Sequence, residues 1–385
     1  MGDKTYDIVM YEPQYKEELL DLMEPLWGTD RNRNSMYLDW KYCRNPYTTT
    51  PLIYLTLYQK KIVSVAGFFA ARWQAGQRGD EYLCFSGGDA VTKVDHRRQG
   101  LHDAMKYRAF EKLKKDAFSF EISLATNSLS AGSALKWARS VGELGIMEWR
   151  GGKNGNNNLL RQTVRQLPLL PSLYRFYQSA VVRDVHSPTQ KTSGVFHVLD
   201  DNYESIQRFK HLGISVDQKP RPDAMAALVR TSKNEGRIRQ VRDEEFYAWR
   251  FDNPFSVFRF LFCEKGGFQG FIVLQQSVRD PHTALIVDWE STSSEIFSDL
   301  LDVVIRWGGL SSIAIWSATL SEETTEILKK KGFHTPDAYG QQDSKVFYPP
   351  IAIYPLDSGS VWSMGSKSVM EITNWDMRPI YSDNY

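Results

Sequence analysis

The pattern of apolar and polar residues predicts strands and helices that alternate along the first half of the chain. Short apolar runs bounded by turn residues are typical of strands, and an apolar repeat of three to four residues is typical of an amphipathic helix. We predict strands over 6–10, 52–58, 62–73, 82–92 and 118–125, and helices over 15–24, 101–115 and 130–140. The helix over 101–115 has an apolar side formed by Leu101, Ala104, Met105, Ala109, Phe110 and Leu113. This succession of elements predicts an α/β fold.

A segment near residue 40 recurs near residue 249. The first copy is Trp40–Pro46 and the second is Trp249–Pro254, which is one residue shorter. Each copy is followed by two apolar runs joined by a turn, a pattern that predicts a β-hairpin. The alternative is a chance similarity between aromatic-rich strands. Because the aromatic-basic-aromatic order, the Asn-Pro pair and the hairpin recur together, we favour a true internal repeat.

The repeat divides the chain into two α/β halves. A length of 385 residues suits two domains. We predict one domain over 1–150, a glycine- and proline-punctuated connection over 151–195, and a second domain over 196–350. The tail, 351–385, is predicted to pack back on one of the domains.

Composition excludes several classes of protein. Lys+Arg of 47 against Asp+Glu of 46 leaves no basic excess, so we predict no nucleic-acid partner. Three widely spaced cysteines, Cys43, Cys84 and Cys263, predict neither a disulfide framework nor a metal site. No run of 18 apolar residues and no secretory signal is present, so we expect no membrane span and a cytoplasmic location.

The segment from Phe85 to His102 carries the strongest chemical signal. It combines a predicted strand, a basic turn containing glycine and the start of a helix. A helix N-terminus directs backbone N–H groups and a positive dipole end at one point, which favours an anion. Arg97 and Arg98 add donors suited to phosphate, and Gly100 lets the backbone approach a ligand. The spacing alone also fits a solvated turn.

In its context, Arg97-x-x-Gly100 resembles the acyl-CoA loop of GNAT N-acyltransferases, whose pattern is Gln/Arg-x-x-Gly-x-Gly/Ala. His102 stands where the family most often has Gly or Ala. Further segments look like those of bacterial tandem-GNAT sugar-nucleotide N-acyltransferases: Ser86-Gly87-Gly88-Asp89 with Thr92, Trp40-Lys41-Tyr42 with Asn45-Pro46, Asn127, Ser130 and Trp375-Asp376. The run Leu328–Phe333 is similar to a helix end that closes many GNAT domains.

The resemblance implies two tandem GNAT-like domains of α+β type, with mixed central sheets flanked by helices. It implies acyl-CoA as a co-substrate, and no metal. The acyl-CoA contacts would be Val91, Thr92, Val94, Arg97, Arg98, Gln99, Gly100, Leu101, His102 and Ser130. In the second half Leu285–Ser291 leads into a helix without Arg-x-x-Gly. That copy is therefore predicted not to bind CoA.

In GNAT folds an acceptor amine attacks the thioester directly, and backbone N–H groups near 90–94 would polarise its carbonyl. Asp89 is the candidate general base, with fixing the Gly-Gly bend as its alternative role. Asn127 is a candidate contact for pantetheine or acceptor, or a plain N-cap. Ser130 could likewise be a cap. His96 is expected to be a solvated turn residue.

The resulting hypothesis is an acyl-CoA-dependent N-acyltransferase acting on a small polar amine. By resemblance the acceptor would be a nucleotide-linked amino sugar made for a bacterial surface polysaccharide. A different hypothesis is a non-catalytic double-GNAT module that binds a nucleotide or a protein. A third is an aminoacyl-tRNA-dependent transferase, although the balanced charge gives little sign of an RNA-facing surface.

Overall fold

The computed structural model describes residues 5–76, 79–124, 128–151, 210–232, 236–277, 280, 282–306, 310–335, 350–357 and 361–382. The strands are β1 Asp7–Met10, β2 Ile53–Tyr58, β3 Lys61–Ala75, β4 Asp80–Thr92, β5 Phe120–Leu124, β6 Arg139–Glu143, β7 Ile146–Arg150, β8 Ile214–Asp217, β9 Arg239–Gln240, β10 Phe258–Cys263, β11 Gly270–Gln276, β12 Thr283–Ser291, β13 Ser312–Trp316, β14 Pro350–Pro355, β15 Ser363–Met364 and β16 Lys367–Ser368. The α-helices are α1 Lys16–Trp27, α2 Arg31–Leu38, α3 Leu101–Lys115, α4 Ser128–Leu135, α5 Pro222–Thr231, α6 Glu244–Arg250, α7 Ser294–Arg306 and α8 Glu322–Lys330.

The described part of the molecule contains two mixed sheets flanked by helices, as predicted, and a small antiparallel pair formed by β15 and β16. The first sheet has the order β1-β2-β3-β4-β5-β14-β6, with β9 beside β3, and the second has the order β7-β13-β12-β11-β10-β8. Both predicted hairpins are confirmed, since β2 pairs antiparallel with β3, and β10 with β11. In each sheet the strand that follows the hairpin is connected through a helix to a parallel neighbour. These pairs are β4 with β5 and β12 with β13. The two sheets therefore repeat one topology.

Each sheet includes one strand from beyond its predicted domain. The first sheet includes β14, from near residue 350, and the second includes β7, from near residue 150. β14 lies between β5 and β6 of the first sheet and pairs antiparallel with both. β7 pairs antiparallel with β13 of the second sheet, and Glu148 of β7 forms a bridge to His334 on its other side. The boundaries at 150 and 350 stay predictions, but the strand exchange joins the two halves through main-chain hydrogen bonds.

The largest apolar cluster contains residues of both sheets and of the C-terminal tail. Trp73 and Phe120 of the first sheet and Phe260 of the second are buried in it, together with Trp375 and Tyr381 of the tail. The rings of Trp375 and Tyr381 both contact the Trp73 ring edge-on. The two sheets and the tail thus share one core.

The repeated tryptophans contact each other reciprocally. The Trp40 and Trp249 rings stack with centroids 5.5 Å apart and an interplanar angle of 16°. Each indole N–H donates to the main-chain oxygen of the other residue, in both cases at 2.8 Å. Asn45 and Asn253 also match, because each side-chain oxygen accepts from the backbone N–H two residues later. The sequence repeat is therefore a structural repeat.

Several local predictions need correction. Between the predicted helix 15–24 and the predicted strand 52–58 the structure contains α2, for which the sequence predicted no element. Asp30 marks its start, since the Asp30 side chain accepts from the Arg33 N–H. The helix predicted over 130–140 ends at Leu135, and its last residues belong to β6 instead. On α3, Ala104 is exposed and Lys106 is buried with the apolar side. Among the described residues no helix has the length and apolar character needed to cross a membrane.

Candidate functional site

The strands β4 and β5 diverge shortly after they meet. They pair in parallel only at Cys84 with Phe120 and at Phe85 with Glu121. One residue later the Ser86 hydroxyl donates to the main-chain oxygen of Ile122. Within the described residues no strand pairs with the remainder of β4 on this side. The result is a wedge-shaped gap between two neighbouring strands.

Backbone groups of β4 point into this gap. The Lys93 N–H donates to the main-chain oxygen of Val63 at 2.9 Å, which places Lys93 in a hydrogen-bonded pair with β3. Residues of an antiparallel strand alternate between bonding the partner and facing away from it. Because Val65 pairs with Val91 and Ala66 with Ala90, the N–H groups of Ala90 and Thr92 face the gap. These are the donors expected near residues 90–94.

The connection from β4 to α3 forms an anion-sized recess at the end of the gap. Gly100 precedes α3 with a φ of +71°, a conformation that favours glycine. A Cβ at this position would meet nothing within 4 Å, and no side chain caps the helix start. A cavity of about 170 Å³ lies here, lined by Thr92, His96, Arg97, Arg98, Gln99, Gly100, Leu101, His102 and Asp103. The first N–H groups of α3 open onto it without intrahelical partners.

The charges around this recess favour an anion. Arg97 and Arg98 are exposed, and the Arg97 Nε donates to the Thr92 main-chain oxygen at 3.1 Å. Asp103 is paired with Lys136, which keeps its pKa below the ordinary value. Burial lowers the pKa of His102, and Lys106 lowers it further, so His102 is neutral at pH 7. His102 can then donate one ring N–H to a phosphate.

Most of the predicted cofactor contacts lie together at this recess, namely Thr92, Arg97, Arg98, Gln99, Gly100, Leu101 and His102. Val91 packs instead beside the apolar cluster under α1, and Val94 is exposed away from the cavity. Asn127 lies outside the described residues. Ser130 lies in α4. His96 is half-buried rather than solvated, because Tyr6 and Tyr58 pack against its ring and the Tyr6 hydroxyl lies 3.0 Å from Nδ1.

Asp89 lies at a bulge in β4 and is bound by two buried side chains. Its Oδ2 accepts from the Lys41 Nζ and from the Tyr42 hydroxyl, both at 2.8 Å. Burial by itself would raise the pKa of Asp89, but Lys41 and Tyr42 outweigh burial and hold the pKa below its ordinary value. A carboxylate stabilised in this way accepts a proton poorly. The geometry therefore favours the alternative role, in which Asp89 fixes the local backbone.

A second buried ion pair escaped the sequence analysis. Lys106 of α3 and Glu121 of β5 lie 2.8 Å apart, with side chains 5% and 3% exposed. Burial raises the pKa of Glu121, and Lys106 only partly opposes it. Within the described residues Glu121 Oε2 has no hydrogen-bond partner. The sequence contains one indication of this pair, since Lys106 interrupts the apolar side of α3 next to Met105.

We call the first sheet with its helices the first copy, and the second sheet with its helices the second copy. The second copy lacks this site. Only residues 292–293 connect β12 to α7, where residues 93–100 connect β4 to α3. The register of β11 with β12 makes Trp289 the counterpart of Ala90. Its N–H donates to Asp288 Oδ1 at 2.9 Å, and its main-chain oxygen accepts from Arg378 of the tail. The backbone N–H that corresponds to that of Ala90 is thus already bonded in the second copy.

Two mixed sheets of this order, with splayed parallel strands followed by a helix, define a tandem GCN5-related N-acetyltransferase (GNAT) fold. Solved structures with this fold align with more than nine-tenths of the chain. A protein from Enterococcus faecalis, described as a probable N-acyltransferase of unknown function, gives a TM-score of 0.55 at 9% identity, covering 91% of this chain and 73% of that chain. A GCN5-related N-acetyltransferase from Anabaena variabilis gives 0.54 at 9% identity, covering 92% and 73%. Eis1 from Mycobacterium abscessus gives 0.51 at 10% identity, covering 92% and 74%.

At these identities the likeness shows the fold. No family model matches the chain, and no curated protein sequence matches it. Within the described residues no group of His, Cys, Asp and Glu side chains has the arrangement of a metal site.

Proposed function

We propose that the protein is an acyl-CoA-dependent N-acyltransferase with one active site, in the first copy. The observation that carries this proposal is the gap between β4 and β5, into which the Ala90 and Thr92 N–H groups point. The gap leads to the anion-sized recess at the start of α3. A diphosphate and an amide-containing arm are the parts of CoA that suit these two environments.

The residues present fit the diphosphate. The N–H groups at the start of α3 and the exposed guanidinium groups of Arg97 and Arg98 are donors for phosphate oxygens. Gly100 leaves open space where a side chain would otherwise stand. Lys136 neutralises Asp103, the one carboxylate that lines the recess. Both the shape and the charge of the recess therefore support the assignment.

The chemistry follows from the position of the gap. The acceptor nitrogen attacks the thioester carbon, the C–S bond breaks, and the nitrogen loses a proton while the CoA sulfur gains one. We assign to the Ala90 N–H, which faces the gap, a hydrogen bond to the carbonyl oxygen as negative charge develops. One such donor contributes roughly 3 to 4 kcal/mol to the stabilisation of the transition state. Holding the amine against the thioester supplies the remaining acceleration.

For the acceptor we propose the amine of a nucleotide-linked amino sugar. The support is the resemblance of the Ser86–Asp89 run, with Thr92, and of Trp40–Tyr42 to bacterial tandem-GNAT enzymes that acylate such sugars. The structure brings these two segments together, because Lys41 and Tyr42 bind Asp89.

The direct test measures release of free thiol from a set of acyl-CoAs with nucleotide-linked amino sugars and other small amines as acceptors. We expect acceptor-dependent release, and calorimetry is expected to show one CoA bound per chain. If the protein binds no CoA and releases no thiol above background, the non-catalytic binding module becomes the better hypothesis.

Gly100→Glu tests the location of the site. The new carboxylate would stand among the phosphate donors, so CoA affinity is expected to fall by roughly a hundredfold or more. Gly266→Glu is a matched control, since Gly266 also has a positive φ, +74°, and a Cβ there would also meet nothing within 4 Å. Equal loss of CoA binding in both variants would contradict a single site at Gly100.

A further inference from the structure

The bulge in β4 determines which backbone groups face the gap. The register with β3 shifts between Ala66 and Phe68, so Gly67 faces two residues of β4, Gly88 and Asp89. A bulge changes the direction of the backbone groups beyond it and bends the strand. The direction of the Ala90 N–H, one residue after Asp89, therefore depends on how this bulge is held.

Lys41 and Tyr42 hold the bulge from outside the sheet. They lie in the helical turn Asp39–Cys43 that follows α2. Besides their bonds to Asp89 Oδ2, the Tyr42 hydroxyl lies 3.4 Å from the Asp89 N–H. The Lys41 Nζ is fully buried and also donates to the Tyr37 hydroxyl at 3.2 Å. Side chain and backbone of Asp89 are thus both fixed by one adjacent pair of residues.

Two glycines make room for the Tyr42 hydroxyl. A Cβ at Gly67 would lie 2.2 Å from the hydroxyl oxygen, and a Cβ at Gly88 would lie 3.1 Å from it. The first distance is far below a van der Waals contact. Any side chain at position 67 would therefore displace the hydroxyl from Asp89.

The second copy provides an internal comparison. Its register places Asp288, Val273 and Val287 at the positions of Asp89, Gly67 and Gly88. There the carboxylate is held by Tyr247 and Arg242, and it accepts from the N–H of the next residue, Trp289, at 2.9 Å.

In the first copy the carboxylate has a different set of partners. Asp89 Oδ2 accepts from Lys41 and Tyr42, and within the described part of the chain Asp89 makes no bond to the Ala90 N–H that would correspond to the Asp288–Trp289 bond. Asp288 therefore accepts from the N–H of the next residue, Trp289, whereas its counterpart Asp89 does not bond the Ala90 N–H.

We propose that Lys41 and Tyr42 are positioning residues, which hold Asp89 away from the Ala90 N–H and so keep that group available to the thioester carbonyl oxygen. This inference rests on the proposed acyl transfer and assigns it residues that do not touch the substrate. Gly67 supports the same arrangement, because the absence of a side chain there leaves room for the Tyr42 hydroxyl.

The test compares Tyr42→Phe with Tyr247→Phe in the full chain. Each variant loses one hydroxyl that donates to an aspartate at 2.8 Å. For Tyr42→Phe we expect kcat to fall roughly tenfold to a hundredfold, as for partial loss of a carbonyl-oxygen donor, with the Kd for CoA unchanged. Tyr247→Phe is expected to keep the wild-type kcat. Gly67→Ala, which keeps the tyrosine but displaces its hydroxyl from Asp89, should lower kcat as Tyr42→Phe does.

Each outcome decides between the two proposals. Wild-type kcat in both Tyr42→Phe and Gly67→Ala overturns the positioning role and leaves the proposed function standing. A loss of CoA affinity that accounts for the whole loss of activity also overturns it, because the residues would then act in binding. If the wild-type protein neither binds CoA nor releases thiol, the proposed function fails, and the positioning role fails with it.

Discussion

At the scale of single residues, the first copy contains buried charges whose partners come from distant parts of the chain. Lys41 is 0% and Asp89 11% exposed at the side chain. Placing two charges in such an environment costs several kcal/mol each, which their mutual attraction must offset. A pair of this kind is therefore weak evidence for stability, and its role in holding the bulge is the subject of the positioning role proposed above.

Asp89→Asn is expected to lower the free energy of unfolding by about 3 to 5 kcal/mol, because it leaves the buried Lys41 ammonium without a charged partner. Urea denaturation measures this loss. Asp116→Asn is the control: it breaks the Lys112–Asp116 pair, whose side chains are 44% and 38% exposed, and should cost within about 1 kcal/mol. Similar losses in both variants would mean that Asp89 is effectively solvated.

The same pair predicts a pH dependence. Because the pKa of Asp89 is lowered in the folded state, its stabilisation is fully present above the ordinary carboxyl pKa of about 4. The stabilisation is lost as the pH falls through the lowered value. The difference in urea midpoint between wild type and Asp89→Asn should thus be constant from about pH 8 to pH 5 and narrow below about pH 4. A difference that grows on acidification contradicts this sign.

At the scale of elements, the exchange of β7 and β14 decides how the chain can be divided. Without β14, both β5 and β6 lose their antiparallel partner, and without β7, β13 becomes an edge strand. Unpaired strand edges are prone to aggregation. We therefore expect that the two halves do not fold as independent units, although the sequence repeat by itself suggests that they could.

Expressing residues 1–150 and 196–385 separately is expected to yield aggregated or unfolded material, because the 1–150 fragment lacks β14 and the 196–385 fragment lacks β7. Co-expression should restore a soluble complex, since both strands are then present. Size-exclusion chromatography and thermal unfolding measure the outcome. If either fragment alone is monomeric and unfolds cooperatively, the exchanged strand is dispensable for that half.

At the scale of the whole molecule, reciprocal contacts join the two copies. Trp40 and Trp249 stack and exchange two hydrogen bonds, and Arg44 forms an ion pair with Asp252 of the other copy at 3.3 Å. The tail adds a third component, since Arg250 donates to the main-chain oxygens of Ile380 and Ser382. The contact between the copies is symmetric, whereas the copies differ at the gap, because the Trp289 N–H is bonded to Asp288 and no such bond is formed at Ala90 in the described part of the chain.

Trp40→Phe and Trp249→Phe are each expected to cost about 1 to 3 kcal/mol of unfolding free energy, because each leaves one buried main-chain oxygen without its donor. The two losses should be similar, as the contacts are reciprocal. The double variant should depart from their sum by about 0.5 kcal/mol or more, since the rings touch. Additive losses in a double-mutant cycle would show that the two indoles act independently.

The sequence alone determined the fold class, the repeat and the position of the loop. These features are local: β-hairpins, the Arg97-x-x-Gly100 turn and the apolar side of α3 are written in residues close together in the chain, where backbone conformation and periodicity follow directly from residue type. The lack of an Arg-x-x-Gly loop in the second half is also visible in the local sequence, because only residues 292–293 connect β12 to α7.

Only the tertiary structure decided the strand exchange, the buried partners and the state of the second copy. Lys41 meets Asp89, and Arg378 meets Trp289, across 48 and 89 positions of sequence. Hydrogen bonds between such distant residues depend on how sheets and helices pack, which no local pattern encodes. The same distance explains why the sequence, which predicts Asp89 as a candidate base, could not show that Lys41 and Tyr42 bind it and lower its pKa.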